Sequence, residues 1–296
     1  MAEEKISYLY VALAVFLWAT MASVGKLMLK NLNNLQVLFY TSLIASISLL
    51  IIVLFQKKFH LIKEYKLKDY WHFAYMGFIG VFLYYILLYA GLMFAPAQEA
   101  FIVNYTWPIW VVIFAMVLLK EEFNFKKMLA ILLGFIGVYV VVTKGDIFSL
   151  SVANLKGDLF AFAGAISYGF FSVLGKKHNY DKFTSMMFYY SFTFIFITIS
   201  NLIFSEIPKI SLYELAGLTW LGIFTSGLAF VFWFLALKHG DTAKMSNIVF
   251  LTPFLSLIFI YFLLGEKILF SSVIGLILII TGIIIQSYNK KTTPTL

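Results

Sequence analysis

The chain has 296 residues, of which 62% are apolar, 12% are charged and none is cysteine, with a formal net charge of +8. A typical soluble domain carries about 25% charged residues, so this composition leaves too few charges to cover a water-exposed surface. The lack of cysteine excludes disulfides, cysteine-based zinc sites and iron–sulfur clusters. A lipid bilayer is the simplest solvent for such a chain.

Ten apolar stretches follow one another, each near the roughly 20 residues that cross about 30 Å of hydrocarbon. The first is long, follows Glu3 and Glu4 and ends without a small-residue cleavage pattern, so we expect a span and not a signal peptide. We predict an all-α integral membrane protein with ten transmembrane helices, at residues 6–25, 36–56, 70–93, 97–120, 126–144, 157–175, 182–204, 214–237, 242–264 and 269–288.

The basic residues are all lysine, and their positions predict the orientation of the chain. If the N-terminus is cytoplasmic, 16 of the 22 lysines lie in cytoplasmic loops and termini and the other six lie outside. The positive-inside rule therefore predicts that both termini lie in the cytoplasm. We expect a multi-pass protein of a bacterial or archaeal inner membrane. Topology and attraction to anionic lipid account for the basic excess, so we expect membrane lipid as a partner and no nucleic acid.

One skeleton occurs twice in the chain, 145 residues apart. It is a long apolar stretch with one proline near its middle and one glutamate at its end. The first copy runs through Pro108 to Glu121, and the second runs through Pro253 to Glu266. A duplicated, interrupted apolar helix is typical of membrane carriers that are built from inverted repeats.

We predict two repeats, residues 1–146 with spans one to five and residues 147–296 with spans six to ten. Because five is an odd number, the second repeat would be inverted in the membrane. Such symmetry gives one architecture two related conformations, which is the basis of alternating access. The alternative is that duplication merely built a larger bundle.

The prolines predict kinks near the middle of spans four and nine. A proline inside a helix lacks an N–H and clashes with the carbonyl four residues earlier, which frees the carbonyls of Asn104 and Val249. An unsatisfied carbonyl is costly in lipid, so we expect both kinks to face protein or a polar cavity at mid-depth. The alternative is a packing kink with no ligand contact.

The two five-helix halves, Pro108 and Pro253, and the endings Leu-Leu-Lys-Glu and Leu-Leu-Gly-Glu resemble the drug/metabolite transporter superfamily, EamA type. The segment Asn104–Pro108 is also similar to the corresponding helix of the bacterial aromatic amino acid exporters in that superfamily. The resemblance implies ten helices, cytoplasmic termini and a central cavity formed mainly by helices 1, 3, 4, 6, 8 and 9. It also implies efflux or exchange of small polar metabolites, although the fold does not fix the substrate.

Aromatic and polar residues on the expected cavity helices are our candidates for substrate contact, since aromatic walls with a few polar groups suit amphipathic solutes. Many aromatic residues of such a chain must instead face lipid. Glu99 and Lys244 are gate or charge candidates; the alternatives are helix-terminus placement for Glu99 and snorkelling to headgroups for Lys244. The substrate-binding candidates are Trp18, Tyr84, Tyr89, Asn104, Trp107, Tyr168, Trp233 and Asn247.

The sequence favours a secondary transporter that exports or exchanges amino acids, aromatic and neutral ones first. A carrier of choline, nucleosides or nucleotide-sugar-like solutes is the alternative, followed by a membrane protein that does not transport. The sequence offers no catalytic constellation, metal-ligand cluster or mid-depth acid for proton coupling, so we expect no enzyme, cofactor or metal. The expected partners are a small-molecule substrate and lipid, with the protein a monomer or a homodimer.

Overall fold

A computed structural model describes residues 2–120, 124–146, 154–175, 180–207, 209–240, 245 and 248–287. Throughout these ranges the regular structure is helical. The α-helices are α1 Ala2–Ala19, α2 Met21–Met28, α3 Asn34–Phe55, α4 Phe59–Glu64, α5 Leu67–Gly77, α6 Tyr84–Phe94, α7 Ala97–Asn104, α8 Trp107–Leu118, α9 Phe125–Val142, α10 Leu155–Gly175, α11 Lys182–Phe204, α12 Leu212–Thr219, α13 Ala229–His239, α14 Thr252–Leu264 and α15 Phe270–Ser287. Two π-helical segments, Phe78–Leu83 and Trp220–Leu228, join α5 to α6 and α12 to α13.

Eight helical stretches are long and apolar enough to cross a membrane, and α14 and α15 are shorter apolar helices. The chain is therefore an all-helical, multi-pass membrane protein. Each of the first eight predicted spans coincides with one of the long stretches. The ninth predicted span begins in residues outside the described part of the chain, and the full set of ten crossings stays a prediction.

The helix boundaries repeat along the chain. The helices α5, α6, α8 and α9 begin 145 residues before α12, α13, α14 and α15, respectively. Lys120 follows α8 and Gly265 follows α14, again 145 residues apart. Both have a left-handed backbone conformation, with φ of 56° and 68°. The π-helical segments occupy corresponding places, so local structure follows the repeat even where the side chains differ.

The packing between the halves is reciprocal. The most extensive contacts between helices join α10 to α6 and α1 to α13, and join α11 to α3 and α15 to α9. Glycine permits the closest approach of α9 to α15, because a Cβ on Gly137 would lie 2.6 Å from the carbonyl oxygen of Gly275. The buried core therefore lies between the halves and includes Tyr89, Tyr190 and Leu88.

The proline helices are broken, where a kink was expected. The helix α7 ends at Asn104, and α8 begins at Trp107 with Pro108 in its first turn. In the second half, α14 begins at Thr252 with Pro253 in its first turn. Proline is well suited to a first turn, where its missing N–H costs no hydrogen bond, so the chain starts a new helix there. The two breaks expose helix ends at the middle of spans four and nine.

Candidate functional site

A central cavity lies where the two helix breaks meet. Its volume of about 170 Å³ far exceeds the 10–15 Å³ or so that one water requires, so it has room for a small solute. The described residues that line it are Trp18, Met21, Tyr84, Tyr85, Phe101, Asn104, Tyr105, Trp107, Tyr168, Phe230, Trp233, Val249 and Thr252. We call this space the central cavity.

Asn104 is the best-connected polar residue of the central cavity. It is the last residue of α7 and is 2% exposed. Its side-chain oxygen accepts a hydrogen bond from the Tyr84 hydroxyl at 3.2 Å, and its amide donates to the carbonyl of Ala161 at 3.2 Å. A Cβ on Gly164 would lie 3.2 Å from that amide nitrogen, so glycine makes room for the contact. The amide thus ties α7 to α6 and α10.

A second hydrogen bond connects the two helix breaks directly. The Tyr105 hydroxyl donates to the carbonyl of Val249 at 2.9 Å, which satisfies the carbonyl that Pro253 was expected to free. The Thr252 hydroxyl is buried beside the Tyr105 phenol and makes no hydrogen bond of good geometry within the described part of the chain. Thr252 lines the central cavity, and its hydroxyl, although covered in this conformation, is a candidate partner for a solute.

Aromatic rings form most of the cavity wall. Tyr168 lies 4.8 Å from Tyr84 and 5.1 Å from Trp107 between ring centroids, and the Trp107 contact is edge-on. In a second group of lining rings, Trp18 lies 5.3 Å from Phe230 and 6.1 Å from Trp233. Among the described lining residues none is charged. The cavity can therefore hold an apolar group or a cation against ring faces, with hydrogen bonds at a few positions.

The central cavity continues toward one end of the helices. A second space shares Tyr168, Phe230 and Trp233 with it and extends to Gly175 and Lys182. Sequence analysis predicts this end to be cytoplasmic. A solute that moved from the central cavity past these shared residues would reach this end.

At the other end, here called the Glu266 end, the helices are closed. The Glu266 carboxylate accepts hydrogen bonds from the backbone amides of Ala97 and Gln98 at 2.8 and 3.2 Å. The Lys26 ammonium donates to the carbonyls of Leu92 and Ala95. The glutamate that follows one proline helix therefore caps the start of the other, and Lys26 caps the end of α6 just before it.

The structure brings together six of the eight residues predicted to bind substrate. Tyr89 is buried behind the wall, with its ring 5.5 Å from Tyr85, and Asn247 lies outside the described residues, as does Lys244. Glu99 is buried in the first turn of α7, away from the central cavity. The six that share the cavity are Trp18, Tyr84, Asn104, Trp107, Tyr168 and Trp233.

Seven lining residues were not among the eight sequence candidates: Met21, Tyr85, Phe101, Tyr105, Phe230, Val249 and Thr252. Met21 and Phe101 carry no polar signal. Each lies three residues from a predicted contact, Met21 after Trp18 and Phe101 before Asn104, a spacing that puts two residues on one helix face. Substrate contact by the lining residues remains a prediction.

Apolar helices around an uncharged aromatic cavity define a multi-pass membrane carrier, and comparison with known proteins gives its family. The model of the EamA-like transporter family matches the chain twice, over residues 5–143 and 155–288. The chain therefore belongs to the EamA-like transporter family, within the drug/metabolite transporter superfamily.

Individual relatives agree with this family. An uncharacterised transporter of Archaeoglobus fulgidus is 28% identical over 288 residues, which cover 96% of this chain and 98% of that protein. The aromatic amino acid exporter YddG of Ancylobacter novellus is 25% identical over 181 residues, 61% of this chain and 63% of that protein. A solved crystal structure at 21% identity covers 96% of both chains with a TM-score of 0.66, and so shares the fold. Relatives named as transporters point to a small-molecule carrier and away from an enzyme.

Proposed function

We propose that the protein exports or exchanges small metabolites across the inner membrane, with amino acids as the substrate class, aromatic and neutral ones first. The observation that carries this proposal is the aromatic central cavity, which has no charged side chain among its described lining residues. Ring faces suit an aromatic or aliphatic side chain, and Asn104 and Thr252 offer hydrogen bonds to polar groups. The name of one relative, an aromatic amino acid exporter, agrees with this substrate class.

A zwitterionic solute needs partners for both of its charges. The chain has no arginine, so a carboxylate must use amides, hydroxyls, lysine or a helix N-terminus. The helices α8 and α14 begin at the cavity, at Trp107 and Thr252, and present the positive ends of their dipoles there. The ammonium of the solute would lie over a ring face, such as that of Trp233.

We also infer that the protein works by alternating access between two inverted five-span halves, residues 1–146 and 147–296. Three observations support this arrangement: the family model matches twice, the helix starts repeat at an offset of 145, and the packing is reciprocal. The lysine distribution supports cytoplasmic termini. The conformation with a closed Glu266 end would then be the inward-open one.

Choline or another small organic cation is the second candidate substrate. The specific observation in its favour is the same uncharged ring of aromatic side chains, because quaternary ammonium groups bind to aromatic faces. An amino acid requires a carboxylate contact that choline does not. Competition separates the two: excess choline should displace labelled phenylalanine weakly if amino acids are the substrate.

Exchange in liposomes tests the proposal. We expect saturable counterflow of labelled phenylalanine, tyrosine, tryptophan or leucine by the reconstituted protein. Trp107→Ala should raise the half-saturation concentration about two- to tenfold, because one aromatic contact contributes about 0.5–1.5 kcal/mol. Phe262→Ala is the matched control, since Phe262 is 75% exposed on the outer face of α14 and should leave exchange unchanged. Lack of saturable flux for every amino acid in the panel would refute amino acid transport.

A further inference from the structure

Two buried acids face each other at the Glu266 end. Glu99 is in the first turn of α7 and Asp158 is in the first turn of α10, and they are 3% and 4% exposed. The side-chain amide of Asn154 donates to Glu99 Oε2 at 2.9 Å. No N–H or O–H donor of the described residues reaches either carboxylate oxygen of Asp158, and the group it faces is the carboxyl of Glu99. We call these two residues the acid pair.

The charges around the acid pair do not neutralise it. Lys144, which follows α9, is the cation in electrostatic contact with both acids, but its side chain is exposed. Glu266, which follows α14, adds a further negative charge near Glu99. The Lys26 ammonium on α2 is already engaged by the carbonyls of Leu92 and Ala95. The helices α8 and α15, which also pack in this region, contain no ionisable side chain, and the ionisable residues of α6 are Tyr84 and Tyr85, which line the central cavity, and the buried Tyr89.

Helix dipoles account for only part of this arrangement. An acid in the first turn of a helix is stabilised by about 0.3–1 kcal/mol, and each member of the pair is so placed. Two ionised carboxylates that face each other out of water repel, and a buried carboxylate without a donor has lost its hydration. One proton shared between the carboxyls removes the repulsion and supplies the missing donor for Asp158.

The surroundings of the acid pair link this proton to closure. A Cβ on Gly157 would lie 2.7 Å from the backbone nitrogen of Ala95, so the first turn of α10 is in tight contact with the segment just before α7. Opening of the Glu266 end by separation of α7 from α10 would break this contact. Separation would let water reach Asp158, and a hydrated aspartate ionises near pH 4.

We propose that Glu99 and Asp158 form a proton-binding site, and that one proton bound there stabilises the closed Glu266 end. Closure therefore takes up a proton and opening releases it to the side that has opened. Low pH on that side favours closure. For each unit by which the pH is raised, the ratio of open to closed protein increases by up to about tenfold, as long as only the closed form is protonated. The proton site stands apart from the substrate cavity; its role in transport rests on the proposed carrier function.

Infrared spectroscopy of the carboxyl C=O stretch tests the site without any substrate. We expect reconstituted protein to show one protonated carboxyl at neutral pH, where exposed acids have ionised, and we expect Asp158→Asn and Glu99→Gln each to remove it. Glu206→Gln, which alters an exposed acid, is the control and should keep the signal. A spectrum without a protonated carboxyl at neutral pH, or a signal that survives both substitutions, would overturn the proposal, and so would displacement of the signal by sodium.

A thiol reporter tests the link to closure. The side chain of Phe101 is 5% exposed on α7, and we expect Phe101→Cys to react faster with an impermeant reagent from the Glu266 side as pH rises. Each rate is divided by the rate of the Glu206→Cys variant, whose thiol is at an exposed position. This division removes the pH dependence of thiol ionisation itself. Asp158→Asn, which mimics the protonated acid, should make the normalised rate slow and independent of pH. A pH dependence that persists in Asp158→Asn would overturn the link, whether or not a transported solute is known.

Discussion

Because the chain contains no cysteine, a single introduced thiol reports on one position. We expect Trp233→Cys and Asn104→Cys to react with water-soluble thiol reagents, because both residues line a cavity that continues to the Gly175 end. Phe262→Cys should react far more slowly, because it faces lipid, where thiolate does not form. The labelled fraction over time, measured by mass spectrometry, gives the rates.

Protection sharpens this experiment. A transported solute should slow labelling of Trp233→Cys and leave the Phe262→Cys rate unchanged. If both cavity positions stay inert at saturating reagent, the central cavity is not water-filled and cannot be the substrate site. Labelling without protection by any transported solute would place the substrate elsewhere along the path.

Residue type predicted much of the cavity, but not which face a side chain occupies. Asn104 was recognised because an amide is costly against lipid, and Trp18 because an aromatic residue, Tyr168, occupies the matching place in the second half, where the offset is 150 residues. Tyr89 has the same chemistry as Tyr84, yet it packs behind the wall. Asp158 was missed because an acid near the start of a span is common in ordinary helix capping. Only the fold shows that it faces Glu99.

The broken helices show the same limit at the scale of an element. The sequence predicts a disturbance at each proline, because the ring removes a donor wherever it occurs. It does not predict whether the helix bends or restarts, because that depends on partners for the freed groups. The Tyr105 hydroxyl on the Val249 carbonyl is such a partner, and it lies 144 residues away in the chain.

Asp181 begins α11 and contributes to stability in two ways. Its carboxylate accepts hydrogen bonds from the backbone amides of Phe183 and Thr184, and it forms an ion pair with Lys58 at 2.5 Å. Burial alone would raise the pKa of Asp181, but the hydrogen bonds from Lys58 and Thr184 outweigh it and hold the pKa below its usual value. This stabilisation is present at neutral pH and is lost as pH falls through the lowered pKa, below about 4.

Two substitutions separate the contributions of Asp181. Asp181→Asn keeps an acceptor for the helix amides and loses the ion pair, so we expect a small loss of thermal stability in detergent and a weaker dependence on acid. Asp181→Ala also loses the cap and should cost about 0.5–2 kcal/mol more. Equal stability of the two variants would show that the cap contributes nothing. Lys58→Met is the control that removes the ion pair from the other side.

At the scale of the whole molecule, the helix starts that recur at an offset of 145 agree with the repeat that the sequence predicts, and the division into two five-span halves stays a prediction. Matching offsets survive low identity because they record helix lengths and turns, which tolerate changes of side chain. The cap of Glu266 on Ala97 could not be predicted in this way, because it joins the end of the proline helix of one repeat to the start of the proline helix of the other. Contacts between the halves depend on the fold, and these contacts decide which end of the cavity is closed.

Inversion of the halves predicts that equivalent helix ends face opposite sides of the membrane. Lys120 and Lys267 are exposed residues just after α8 and α14, the two proline helices. In inside-out vesicles we expect an impermeant thiol reagent to label Lys120→Cys and not Lys267→Cys. In spheroplasts, which expose the outer face of the membrane, we expect it to label Lys267→Cys and not Lys120→Cys. Detergent should make both reactive, which controls for buried thiols. Labelling of both from one side would mean that the halves are parallel, and alternating access between inverted halves would then be abandoned.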